Sequence, residues 1–217
     1  MNDYNEVVGI FPTPVYFALP EDVSQLQDSI DFLHNLPLSI DTEEETELEY
    51  GGVSADSYIL EREECAPLKS WILKHVDIYC KEVLAWDYNE ISITQSWVST
   101  KKKGQKHIMH KHPNSLVSGV FYWQDGIEQI SFLKPERPTN FSIKRNFDVE
   151  SIYAWDYHKF APKKNTLILF PSEQKHGVEQ NLNEDPRKSL AFNTMIFEKI
   201  GLRDELSELD LTPIKGR

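Results

Sequence analysis

Two cysteines in 217 residues, Cys65 and Cys80, are too few for a disulfide scaffold and stand in no ligand-like spacing. A reducing compartment is therefore expected, and the cytoplasm is the default. Basic charge is also scarce, with 23 Lys and Arg against 35 Asp and Glu and a net charge of −12. A general nucleic-acid or membrane-surface binder needs a cationic footprint, so neither is expected. No apolar run approaches the ~20 residues of a membrane span. The opening MNDYNEVVGIF has no basic stretch ahead of an apolar one, so no signal peptide is expected. Internal repeats are lacking too. What is present is a composition 40% hydrophobic and 27% charged, ordinary for one globular domain, or one with an appendage.

The chain changes character near its middle. Residues 7–18, VVGIFPTPVYFA, are apolar and β-branched but interrupted by Pro12 and Pro14, which suits an edge or kinked strand. Pro20-Glu-Asp opens a helix whose stripe is Val23, Leu26, Ile30, Leu33 and Leu36, ended by Pro37. The acidic run 41–49, DTEEETELE, reads as a solvated loop, and Gly51-Gly52 breaks the chain again. Residues 67–86 form a second helix, with Leu68, Trp71, Ile72, Val76, Tyr79, Val83 and Leu84 on its apolar face, Cys80 beside it and His75 at the surface or half-buried. From Ile91 the pattern alternates, and short strands are expected at 91–100, 116–123, 129–133, 151–160, 166–171, 177–180 and 190–197. Asp125-Gly126 is a hairpin signal. Many short strands separated by turns indicate an all-β sandwich or barrel. The tail 202–217 reads as a charged, fraying helix.

Three histidines stand out in this β half. His110 and His112 are two residues apart, so on an extended backbone both leave from one face. A third candidate, His176, follows the strand-like LILFPS 64 residues beyond His112. Imidazoles on a β framework suit iron, zinc, copper or nickel. His107 falls on the opposite face of a continued strand and reads as a loop residue or a neighbour of the pair. Arg187 and Ser189 also share a face; a guanidinium can fork onto a carboxylate with a hydroxyl beside it, or simply sit at a strand start. Gln95 and Trp97 are either pocket wall or ordinary core. Asn114 and Ser115 either orient a histidine or make the turn, and Asn193 shares the face of Ser189. The basic cluster Lys101–Lys106, with Lys111, is a solvated loop or steers an anionic substrate toward the histidines.

Taken together, HxHPNSxxSGVFYW, a strand ending LILFPS, a lone His, and RxS before an AFN strand resemble the 2-oxoglutarate/Fe(II)-dependent oxygenases. The likeness extends to FPTPV, DSYIL and ITQSW and looks most like a small branch found in marine bacteria and their phages. It implies a mainly β fold with flanking helices around a double-stranded β-helix (jelly roll, cupin-like). Residues 1–90 would then pack on a core of 91–200, with 201–217 a charged tail. It implies iron at His110, His112 and His176, the far carboxylate of 2-oxoglutarate on Arg187, Ser189 and Tyr122, and ascorbate as a candidate reductant. The partners implied are O2 and an unidentified substrate, and a homodimer is a further candidate. The expected activity is a hydroxylase.

One position departs from the family. Where its members carry an H-x-D/E pair, this chain has His112. A neutral imidazole leaves a ferrous site one unit more positive than a carboxylate does. Two alternatives therefore stay open: a three-histidine, cupin-like dioxygenase that ignores 2-oxoglutarate, or a non-catalytic jelly-roll module. His112 as a non-ligand, with Asn114 or water in its place, is a further variant.

Overall fold

Alternation from Ile91 onward builds the longest strand, β3 (Ile91–Lys101). The computed structural model describes residues 7–37, 51–126, 129–135, 144, 146 and 148–212; the acidic run 41–49 and the last five residues of the tail lie outside them. Before β3 come β1 (Tyr16–Ala18), α1 (Gln27–Asn35), β2 (Gly52–Val53) and α2 (Ala66–Ile78). After it come β4 (His107–His110), β5 (Val117–Tyr122), β6 (Ile130–Leu133), β7 (Tyr157–Phe160), β8 (Thr166–Pro171), β9 (His176–Val178) and β10 (Arg187–Ile196). A terminal hairpin joins β11 (Lys199–Ile200) to β12 (Leu209–Asp210).

The strands form a major antiparallel sheet, ordered β1-β8-β5-β10-β3-β2, and a minor one, β4-β9-β6-β7. This is the jelly roll that the family resemblance implies. The continuously apolar β8 is explained by burial on both faces. Leu167 and Leu169 join a core shared with both helices, whereas Ile168 and Phe170 pack between the sheets with Tyr122, Ile130 and Phe132. The helices supply Leu26, Ile30, Leu33, Leu68, Ile72 and Val76 to the first of these cores. Asp22 caps the entry to α1 by accepting a bond from the Ser24 amide at 3.0 Å.

Several elements differ from expectation for local reasons. A π-helical turn, Tyr79–Val83, follows α2 and changes the phase of its apolar stripe. Tyr79 and Cys80 are buried by it, and Val83 is turned out to 48% exposure. Gly52, read as a chain break, lies in β2, which pairs with β3. Asp125-Gly126 closes no hairpin, because β5 pairs with β8 and β10, whereas β6 pairs with β7 and β9. Residues 152–154 make a 3-10 turn, leaving only the end of the expected 151–160 strand as β7. The tail turns back as a strand rather than forming a helix, since Leu209 and Asp210 find backbone partners on β11. Among the described residues near the start of the chain only Tyr16–Ala18 pairs, as an edge strand on β8, and Val7, Val8, Ile10 and Phe11 are exposed. Among the described residues no helix is long and apolar enough to cross a membrane.

Candidate metal centre

The minor sheet brings His110 and His176 face to face in the β4–β9 pair. His112 lies just past β4, where its amide donates to the Ser172 carbonyl at 3.0 Å. Asn114, at φ 57°, then turns the chain into β5. One ring nitrogen from each of these three histidines lies within 4.8 Å of the others. No carboxylate joins them among the described residues.

A β-bulge shapes β4. His107 pairs with Val178 and His110 with His176, so three steps on β4 match two on β9. The extra residue puts His107 on the face of His110, against the expected alternation, and their rings stack at 4.3 Å and 14°. Gly177 stands opposite the bulge. A Cβ there would lie 2.7 Å from the His107 carbonyl oxygen and 3.2 Å from the Ile108 carbonyl carbon, so only glycine lets the bulged strand come this close.

Two backbone carbonyls set the tautomers. His110 Nδ1 lies 2.8 Å from the Ile108 oxygen, and His176 Nδ1 lies 2.9 Å from the Gln174 oxygen. A carbonyl only accepts, so each Nδ1 carries the proton and each Nε2 keeps a lone pair for a metal. His112 Nε2 and His176 Nε2 are 3.3 Å apart. Two imidazole nitrogens each ~2.0–2.1 Å from one ion stand roughly 3 Å apart, so the pair fits a shared ion. Burial pushes His176 down to about 3 and His112 down to about 4, with the neighbouring His110 ring adding to both. The imidazoles are thus neutral at physiological pH, as ligation requires. Phe170 packs on His176 with ring centroids 4.4 Å apart, and Trp97 approaches His112 at 6.0 Å.

Opposite residues of β3 and β10 share a face. Val98, Leu190 and Phe192 point to the helices. The other parity, Trp97, Ser99 and Lys101 with Arg187, Ser189, Ala191 and Asn193, therefore faces the minor sheet. Arg187 is 7% exposed and sits directly opposite Lys101. Tyr122, on the same inner side, is buried and its hydroxyl has no hydrogen-bond partner. Burial pushes that phenol up to about 12, while the Arg187 charge pulls it down. An orphaned hydroxyl beside a buried guanidinium is what an absent anionic ligand would leave behind.

With this geometry in view, residues 95–193 match the model of the family described as "Putative 2OG-Fe(II) oxygenase". This segment is similar to the 2-oxoglutarate/Fe(II)-dependent oxygenases. No curated protein matches the chain by sequence. Solved structures agree in fold. An oxidoreductase of the 2OG-Fe(II) oxygenase family from Burkholderia pseudomallei has a TM-score of 0.57 at 14% identity, covering 83% of each chain. HygX from Streptomyces hygroscopicus, solved with nickel, 2-oxoglutarate and hygromycin B, has a TM-score of 0.53 at 11% identity over 84% of this chain and 82% of its own. A prolyl hydroxylase from Trichoplax adhaerens, in complex with a hypoxia inducible factor peptide, has 0.55 at 13% over 84% and 83%.

Within the matched segment, the three histidines form one group, and Arg187, Ser189 and Tyr122 line the face opposite the minor sheet. Asn114 serves the turn and is exposed. Ser115, Ser118, Ser172 and Asn193 form a hydrogen-bonded network beneath the histidine loop: Ser118 Oγ lies 2.8 Å from Ser172 Oγ and 2.9 Å from Asn193 Oδ1, and Ser172 Oγ lies 2.7 Å from Ser115 Oγ. That network holds β5, β8 and β10 together under the Ser172 carbonyl that His112 uses. Lys101 was expected in a solvated loop, whereas it ends β3 and is 2% exposed. Carrying the alternation of Trp97 and Ser99 one step further is the signal that finds it.

Proposed function

We propose that the protein is an Fe(II)- and 2-oxoglutarate-dependent hydroxylase, with iron held by His110, His112 and His176. The convergence of three neutral imidazoles, two with their outer nitrogens fixed on backbone carbonyls, is the observation that carries this reading. A ferrous ion there supplies redox chemistry, letting O2 oxidise 2-oxoglutarate to succinate and CO2 while the second oxygen atom enters a substrate C–H bond as a hydroxyl.

The chain's own residues supply placement. Arg187 offers a planar fork of donors to the far carboxylate of the co-substrate, and Tyr122 brings a hydroxyl that has no other partner. Ser189, two residues along the same face, adds a third donor. Phe170 and Phe132 pack on His176 and Trp97 approaches His112, which places an apolar wall on that side of the site and strengthens the charge–dipole contacts made there. Gln174 and Ile108, through their carbonyls, hold His176 and His110 in the ligating tautomer.

The all-imidazole set favours a second reading, a dioxygenase that binds iron alike but ignores 2-oxoglutarate. Oxygen uptake by the iron-loaded protein distinguishes them. The first reading predicts succinate equal to the 2-oxoglutarate consumed; oxygen uptake that is indifferent to 2-oxoglutarate supports the second.

A further inference from the structure

Lys101 is a buried cation that no acid among the described residues meets. It is 2% exposed, at the end of β3. Gly51 closes over its stem with φ +71°, and a Cβ at that position would fall 2.9 Å from Lys101 Cδ. An ammonium has three protons to donate. Lys101 gives one to Ser99 Oγ at 2.8 Å. Its charged neighbour is Arg187, opposite it across the β3–β10 pair and of the same sign. Burial, and then Arg187, lower the ammonium to about 8, which leaves it mostly charged at neutral pH.

Buried charges persist where a counter-charge meets them, and an ammonium buried with a single hydroxyl acceptor calls for an anion. Lys101 shares the inner-facing parity of Trp97, Ser99 and Arg187, so it belongs to the face that looks toward the minor sheet and its histidines. A ligand reaching from the three histidines to Arg187 crosses to that face. The orphaned Tyr122 hydroxyl is on the same inner side.

We propose that Lys101 is a second anion-binding cation of this site, gripping the far carboxylate of a 2-oxo dicarboxylate together with Arg187 and Tyr122. It thereby makes the cradle selective for a dianion over a 2-oxo monocarboxylate. The inference rests on the co-substrate reading given above. Lys101 acts as a point charge beside the flat fork of Arg187, so the two contacts add without competing for one geometry.

The test is anaerobic calorimetry on protein loaded with Fe(II), using 2-oxoglutarate and 2-oxopentanoate, which keeps the 2-oxo acid end and has a methyl in place of the far carboxylate. Lys101→Met removes the charge at similar length, and Lys101→Gln keeps a donor for Ser99 should the methionine variant fail to fold. Both variants are expected to bind 2-oxoglutarate roughly ten- to hundredfold more weakly, with 2-oxopentanoate altered by about threefold or less. Folded variants that bind 2-oxoglutarate like the wild type, or that lose both ligands equally, overturn the role of Lys101 and leave the co-substrate reading standing. A wild-type protein that binds neither 2-oxo acid overturns that reading and this inference with it.

Discussion

His110 and His176 mirror one another across the β4–β9 pair, with ring centroids 4.3 Å apart. Each gives its Nδ1 proton to the carbonyl two residues before it in sequence. The backbone of two adjacent strands therefore aims both Nε2 atoms at one point, and no side-chain orienter is needed.

The close approach at Gly177 makes the bulge a point of weakness. Gly177→Ala places a methyl 2.7 Å from the His107 carbonyl oxygen, an atom of the backbone that cannot swing aside. The expected cost is ~1–3 kcal/mol, read as a lower denaturation midpoint. Metal affinity should fall as well, because His110 shares the distorted strand. An unchanged midpoint and affinity would show that β4 relaxes freely.

Arg187→Ala should raise the apparent KM for 2-oxoglutarate by roughly a hundredfold, with kcat at saturation much less affected, because the contact is made in ground and transition states alike. Steady-state kinetics over a wide range of 2-oxoglutarate checks this. An unchanged KM removes Arg187 from the co-substrate site.

Tyr122→Phe should separate binding from stability. The hydroxyl is buried without a partner, so its removal should leave stability equal or raise it by up to ~1 kcal/mol. Affinity for 2-oxoglutarate should nevertheless fall roughly tenfold. Thermal melts and a binding titration on the same samples read both. A stability loss would mean that the hydroxyl has a structural partner.

The buried histidines also predict acid sensitivity. Burial holds His107 at about 3, His112 at about 4 and His176 at about 3. In the unfolded chain they titrate near ~6.5. Below that value the unfolded state takes up protons that the folded state refuses. The contribution of neutral imidazole is thus fully present above pH ~6.5 and is lost as pH falls toward ~4, by up to ~1.4 kcal/mol per pH unit for each histidine. Denaturation midpoints of metal-free protein across this range should drop steeply, and His107→Gln should flatten the slope. Parallel slopes in the two proteins would contradict the assignment.

Much of this was legible in the residues. Period-two alternation marked β3, and the His-x-His pair, His176 and Arg187-x-Ser189 pointed to one shared face because side chains on one face of an extended strand repeat in twos. Chain-local logic failed where tertiary pairing decides. The bulge that turns His107 onto the face of His110 depends on Gly177, 70 residues away. Asp125-Gly126 carries a hairpin signature, yet the strands on either side find their partners in different sheets. Lys101 looked like one lysine of a soluble run, because burial of a charge is visible only once Gly51 and Arg187 are in place around it.

The most direct measurement is an anaerobic absorption titration of Fe(II)-loaded protein with 2-oxoglutarate, run on the wild type and on His112→Ala. If three imidazoles hold the iron and leave room for a chelating 2-oxo acid, the wild type develops a visible charge-transfer band that saturates with 2-oxoglutarate. The variant, short of one ligand, loses the band at the same iron concentration. Iron bound in the wild type with no band, or a band undiminished in His112→Ala, contradicts the assignment.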